Sequence, residues 1–214
     1  MARLLITGAT GFIGQHLVAH LLAEGRHELI LLVREGYGGE RTWPRALAAL
    51  RTQFEVVYAD LRNYNLTSRA LRRAQAEVVI HLAAAGATDP FLPVNTAIRY
   101  NLTATLNLIQ ASFKGEAKVA QLILARTPGE KTLSNPYATS KAAAWQFAQM
   151  YARTEGWPLL GGMIFQTYGP QQPGRNLVPA AIAAAKRGDD FPMTSGQQGK
   201  DWIYVTDLVA GLGG

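Results

Sequence analysis

The 214-residue chain predicts an α/β fold, a doubly wound parallel sheet covered by helices on both faces. Three observations carry that expectation. Short β-rich apolar runs alternate with longer runs of helical period. A Gly-rich turn follows the first apolar run directly. The intervals between runs are long enough for the crossovers that parallel strands require. Composition agrees with a self-sufficient core: 48% of residues are hydrophobic, 17% are charged and none is Cys. A chain of this size buries roughly 70% of its unfolded surface and needs no disulfide or metal staple. The absence of Cys excludes a disulfide framework, thiolate nucleophiles, zinc–thiolate sites and iron–sulfur clusters.

The elements follow in order. Arg3–Thr7 is expected as the first strand, followed by the Gly-rich turn and a helix from about Phe12 to Ala23. Glu28–Val33, Phe54–Tyr58 and Val78–Leu82 are expected as the second, third and fourth strands. Arg69, Arg72 and Arg73 stand at helical spacing, as on a solvated helix face. A long helix is expected over Val94–Phe113, a fifth strand over Val119–Leu124, a second long helix over Pro136–Thr154 and a sixth strand over Pro158–Phe165. Beyond Phe165 the texture changes to a Pro/Gly loop at Tyr168–Gly174 and an Ala-rich helix near Val178–Lys186. A last strand-like stretch, Asp201–Val205, precedes what looks like a helix start.

The net charge is +6, from 21 Lys and Arg against 15 Asp and Glu. The basic residues are scattered, so no nucleic-acid module is expected, whereas an anionic small molecule suits the balance. The uncharged run Leu4–Ala23 is broken by Gly8, Gly11 and Gly14 and lacks a basic cluster and a clean cleavage site. The uncharged run Gly156–Gly174 carries Pro158, Pro170, Pro173 and three glutamines, too polar for a bilayer core. No membrane partner or targeting segment is expected, and the cytoplasm is the default location.

Two motifs carry chemistry. Gly8-Ala-Thr-Gly11-Phe12-Ile13-Gly14 lies between the first strand and first helix. Glycine permits the tight turn and a close backbone approach to a pyrophosphate, while the helix N-terminus offers free N–H groups to the anion. The motif therefore predicts dinucleotide binding. In Asn135-Pro136-Tyr137-Ala-Thr-Ser-Lys141, Asn135 suits an N-cap and Pro136 the first helical position. Tyr137 and Lys141 then share one helix face. A tyrosine titrates near 10, too high for a base at neutral pH, but a neighbouring ammonium and a cationic nicotinamide both favour the phenolate. Such a pair can exchange a proton with a substrate hydroxyl while hydride moves.

Together the motifs resemble the short-chain dehydrogenase/reductase superfamily, in its extended branch, the NAD-dependent epimerase/dehydratase family. The resemblance also takes in Asp60-Leu61, His81-Leu-Ala-Ala-Ala-Gly86, Asn101, Tyr168-Gly169-Pro170 and Asp201–Asp207. It implies a Rossmann-type fold divided into a dinucleotide-binding domain over 1–165 and a small, incomplete substrate-binding portion over 166–214. It implies that Asp60 and Leu61 lie near the adenine, that Leu82, Ala83 and Ala84 run along the dinucleotide, and that Asn101 belongs to the cofactor site. Lys141 would bond the nicotinamide ribose, Tyr137 would be the acid/base, and Thr127 is the candidate for the hydroxyl that bonds the reacting oxygen. The bland reading of Thr127 is a turn threonine before Pro128.

Departures from the family pattern sharpen the expectation. Thr127 lies ten positions before Tyr137, so the intervening loop is trimmed. Pro128 and Gly129 stand where 4,6-dehydratases of the family place an acidic pair, which argues against water elimination. NAD-preferring members end the second strand with an acidic residue for the ribose 2′-hydroxyl; here it ends Val33-Arg34-Glu35, so Arg34 tilts the choice toward NADP over NAD, with Glu35 a possible ribose acceptor. The expected function is an NAD(P)-dependent epimerase or 4-keto-sugar reductase acting on a nucleotide-activated sugar. The alternative is a non-catalytic NAD(P)-binding sensor or scaffold of the same fold. The resemblance also implies a homodimer through the helices carrying Asn101–Ile109 and Ala142–Tyr151.

Overall fold

The computed structural model describes residues 1–34, 36, 42–117 and 119–213. Glu35 therefore lies outside the described residues. The chain runs β1 (Ala2–Thr7), α1 (Phe12–Glu24), β2 (His27–Val33), α2 (Arg45–Ala49), β3 (Glu55–Tyr58), α3 (Tyr64–Ala74) and β4 (Val78–His81). It continues with α4 (Val94–Ala97), a π-turn (Ile98–Thr103), α5 (Ala104–Phe113), β5 (Gln121–Arg126), α6 (Pro136–Thr154) and β6 (Leu159–Met163). The last elements are β7 (Gln166–Tyr168), α7 (Leu177–Arg187), β8 (Trp202–Tyr204) and α8 (Val205–Gly213).

The six main strands form one parallel sheet in the order β3-β2-β1-β4-β5-β6. The order reverses direction between β1 and β4, which opens a crevice at the carboxyl ends of those strands. Each strand sends alternate residues to opposite faces. Leu5, Ile30 and Leu32 meet Leu71 of α3, Leu108 and Ile109 of α5 and Ala148 of α6. Leu4, Ile6, Leu29 and Leu31 meet Leu17, Val18 and Leu21 of α1, Leu47 of α2, and Val205 and Val209 of α8. Both faces are thus dry, so the strands read as continuous apolar runs.

Local chemistry explains where the elements begin and end. The Asn135 side chain accepts a hydrogen bond from the Ala138 amide at 2.8 Å and Pro136 occupies the first helical position, so α6 begins where expected. Gly25 closes α1 in the left-handed conformation at φ 65°. The expected long helix over Val94–Phe113 is instead interrupted by the π-turn, whose extra residue turns Asn101 inward, where it is fully buried. The fifth strand lies two residues later than expected because Arg126 stays in register with Met163. Between Phe165 and the expected loop at Tyr168–Gly174 the chain forms β7, which takes in Tyr168 and pairs in parallel with β8 as a separate two-stranded sheet. No helix among the described residues is long and apolar enough to cross a membrane.

Candidate active site

A cleft of about 310 Å³ opens at the carboxyl ends of β1, β2, β3 and β4. Its floor is the glycine turn. Gly8 has φ +72°, and a Cβ there would sit 2.6 Å from the Ala83 amide nitrogen, so the chain leaving β4 crosses directly against the turn. Gly14 is buried in α1, and a Cβ there would collide with the Gly8 carbonyl oxygen. Gly11 caps α1 without a side-chain hydrogen bond, leaving the first-turn amides for an anion. Gly8 and Gly11 line the cleft, while Phe12, Ile13 and Gly14 lie outside its lining. Phe12 and Ile13 pack against the core around α1.

At one end of the cleft stand Arg34, Asp60, Leu61, Arg62 and Tyr100. The Arg62 guanidinium donates to both Asp60 carboxylate oxygens, at 2.9 and 3.0 Å from Nε, and the Arg62 amide donates to Oδ1 at 3.0 Å. Hydrogen bonds from Arg62 hold the Asp60 carboxyl below its usual range against the opposing effect of burial, and Arg34 adds to the lowering. The Arg62 guanidinium lies 4.3 Å from the Tyr100 ring centroid and that of Arg34 lies 5.9 Å from it. Two guanidiniums thus converge on one aromatic ring beside a carboxylate already satisfied by Arg62.

Leu82, Ala83 and Ala84 form the opposite wall. Beneath them His81 is fully buried, with Nδ1 2.7 Å from Thr7 Oγ1 and Nε2 2.9 Å from Thr105 Oγ1. Burial, reinforced by the Lys141 charge, pushes its pKa down to about 3, so the ring is neutral. Thr7 Oγ1 in turn accepts from the Ala83 amide at 3.2 Å, fixing the wall to the sheet. Asn101 sits behind this wall rather than in the cleft. Its Oδ1 accepts from the Ala85 amide at 2.8 Å, and its Nδ2 donates to the Ala85 carbonyl and to Ser140 Oγ, each at 3.0 Å. Ser140 Oγ donates to the Tyr137 carbonyl at 2.8 Å, so a continuous polar link joins the cleft wall to α6.

On α6 Tyr137 is partly buried and Lys141 is only 6% exposed. Burial, then the Glu130 charge, pushes the Tyr137 phenol up to about 12. The lowering expected from the neighbouring Lys141 ammonium does not act on it here. Burial pulls Lys141 down to about 8, with Glu130 opposing and Arg126 adding to the fall. Thr127 caps a short 3₁₀ turn over Pro128–Lys131, accepting from the Gly129 amide at 3.4 Å. That turn leans on the first turn of α6, since a Cβ on Gly129 would lie 3.1 Å from Ala138 Cβ. The Thr127 turn and the Tyr137 turn are therefore neighbours, across the trimmed loop.

Sequence reasoning missed Arg62, Tyr100, Arg126 and Glu130. Arg62 had a signal, standing two positions after Asp60, but Tyr100 reaches the cleft only through the π-turn. Among the described residues, no group of three or more His, Asp or Glu side chains is placed to hold a metal ion. The glycine floor, the uncapped helix start and the paired guanidiniums fit a dinucleotide with its pyrophosphate on α1.

The sequence pattern of the NAD dependent epimerase/dehydratase family matches residues 4–212. A dTDP-glucose 4,6-dehydratase of Haemophilus influenzae is 27% identical, over 98% of this chain and 69% of its own length. The low-salt glycan biosynthesis protein Agl12 of Haloferax volcanii is 27% identical, over 97% of this chain and 71% of its own. Among solved structures, DesIV, a dTDP-glucose 4,6-dehydratase of Streptomyces venezuelae with NAD and TYD bound, superposes with TM-score 0.79 at 27% identity, covering 99% of this chain and 70% of that one. A UDP-glucose 4-epimerase of Thermotoga maritima with UDP-glucose shares the fold with TM-score 0.80 at 23% identity, covering 97% and 71%.

Proposed function

The chain belongs to the NAD dependent epimerase/dehydratase family, and we propose that it is an NAD(P)-dependent epimerase or 4-keto-sugar reductase acting on a nucleotide-activated sugar. The observation that carries this reading is the hydrogen-bonded link from the cleft wall through Asn101 and Ser140 to the Tyr137 carbonyl. It holds a proton-transfer helix in fixed register with a dinucleotide-shaped cleft. A nicotinamide dinucleotide, when bound, supplies hydride donor and acceptor chemistry. Gly8, Gly11 and the start of α1 hold its pyrophosphate, Leu82, Ala83 and Ala84 its length, and Asp60 and Leu61 its adenine end. Arg34 is the partner of a 2′-phosphate, since the nearby Asp60 is engaged by Arg62. NADP is therefore preferred.

In this reading Tyr137 delivers a proton to the substrate oxygen and retrieves it on the reverse step. Because its phenol is pushed up to about 12, it stands protonated at neutral pH and is set to donate. Thr127 accepts from Gly129 but keeps its hydroxyl hydrogen for the reacting oxygen. Lys141 would hydrogen-bond the nicotinamide ribose when the cofactor is bound. Dehydration, the reaction in the names of several relatives, calls for free acidic groups beside the threonine. Here Pro128 and Gly129 occupy those places, and the carboxylate of Glu130 is bound by Arg126 and the Thr127 amide. The division into 1–165 and 166–214 and a cytoplasmic homodimer through the long helices belong to the same proposal. Exposed Ile98 and Phe147 on those helices support the dimer.

Titration with NADPH and NADH, followed by nicotinamide fluorescence and mass analysis of dinucleotide released on denaturation, tests the reading. Preference for NADPH supports the reductase, and tightly retained NAD supports the epimerase. Absence of binding by either overturns both. Binding without turnover on any nucleotide sugar would point to the sensor or scaffold role instead.

A further inference from the structure

We propose, resting on the hydride-transfer reading above, that Glu130 is a positioning residue whose clamped carboxylate is the fixed counter-ion of Lys141. The clamp has two sides. Glu130 Oε2 accepts from Arg126 Nε at 2.9 Å and pairs with Arg126 Nη2 at 2.8 Å, while Oε1 accepts from the Thr127 amide at 3.0 Å. The Glu130 side chain is 4% exposed. A carboxylate that dry remains ionised only with donors of this kind on its oxygens.

Arg126 is itself held in place. Its guanidinium lies 4.3 Å from the Trp145 ring centroid. Gly161 of β6 makes room for the stack, since a Cβ there would lie 2.6 Å from Arg126 Cδ and 2.7 Å from the Trp145 ring. A small pocket of about 10 Å³ beside the clamp is lined by Glu130, Arg126, Lys141, Thr105 and Trp145. Glu130 and Lys141 therefore share the walls of one small space.

The other groups around Lys141 do not replace that counter-ion. Arg126 approaches from β5 with like charge, and neutral His81 approaches from β4. Tyr137 stands one turn earlier on α6, the π-turn brings uncharged Asn101, α5 brings Thr105, and β6 contains no titratable residue. Among these groups Glu130 alone raises Lys141 against burial, and its charge also raises Tyr137. One carboxylate thus favours the doubly protonated state, ammonium plus phenol, that donates a proton to a substrate oxygen. It also accounts for the trimmed loop, which brings Glu130 into the space behind Lys141.

The test is NMR titration of lysine labelled with ¹³C at Cε, with the Lys141 signal assigned through Lys141→Arg. Burial pulls Lys141 down to about 8, so the wild-type midpoint is expected there, and Glu130→Gln is expected to lower it by at least about one pH unit, because the charge goes while the shape stays. A folded Glu130→Gln protein with an unchanged Lys141 midpoint overturns the proposal. Should that variant fail to fold, Glu130→Asp and Arg126→Lys retain the charges but displace the carboxylate. A smaller fall in the midpoint supports the assignment, and wild-type midpoints in both overturn it. NADPH and NADH titration of the wild type judges the enzymatic reading separately. Loss of that reading would leave the Lys141 shift to stand or fall alone.

Discussion

The two ends of the site use charge in opposite ways. At the end proposed for the adenosine, Arg34, Asp60 and Arg62 stand in an open cleft, and the Asp60 and Arg62 side chains are 30% and 27% exposed. Water screens them, so in the proposed reading they meet an approaching anion at little cost to the fold. At the proposed reaction end, Lys141 is only 6% exposed and the Glu130 side chain 4%. In the proposed reading the same kinds of group set protonation there rather than affinity. The contrast teaches that a wet charge selects what binds, whereas a dry charge selects which proton stays.

The largest expected effect breaks the reaction end alone. Tyr137→Phe should lower turnover by roughly 10²–10⁴-fold and leave dinucleotide affinity nearly unchanged. Retained turnover would remove Tyr137 from proton transfer.

The next effect reaches the floor shared by both ends. His81 is neutral in the folded protein, with its pKa pushed down to about 3 from 6.5. Between those values the unfolded chain binds more protons than the folded one, so stability rises with pH across that window and is lost as pH falls through it. Urea denaturation from pH 7 to 4 should show an acid loss on the order of a few kcal/mol, and His81→Gln should flatten the curve. Parallel curves for the two proteins would contradict the burial argument.

At the wet end, Arg34→Ala should weaken NADPH by about ten- to a hundredfold while sparing NADH, the worth of one charge-assisted contact. An equal loss for both cofactors would assign Arg34 to adenine stacking instead. The smallest effect is expected from Arg62→Leu, which should cost no more than about 1 kcal/mol of stability. It should let the Asp60 carboxyl rise toward its ordinary range, read by NMR titration, because Arg62 is the largest cause of its lowering.

Local signals in the sequence located much of this architecture. The glycine turn was legible because Gly14 is demanded locally, by Gly8 and Ala9 of the same turn, although the close approach at Gly8 comes from Leu82 and Ala83, far along the chain. Pro136–Thr154 was legible because Asn135 and Pro136 mark its start locally. The π-turn was not, since Ile98–Thr103 contains neither Gly nor Pro, and the extra residue answers to contacts of Asn101 with Ala85 and Ser140. Arg126 read as lying beyond the fifth strand rather than in it, because Trp145 and Gly161, which seat it, lie far along the chain. Likewise β7 needs β8, whose residues follow some 36 positions later, and nothing within Gln166–Tyr168 announces that partner.

The helix α8 lies on α1, and a Cβ on Gly213 would come within 3.0 Å of Leu21. These neighbours are made far apart in time. At about 5–20 residues per second, the roughly 180 residues between Glu24 and Val205 take about 9–36 s to emerge from a ribosome. Throughout that interval the outer side of α1 has no native cover from Val205 and Val209. That side of α1 is accordingly open to non-native contacts and chaperone capture until the last strand and helix are made.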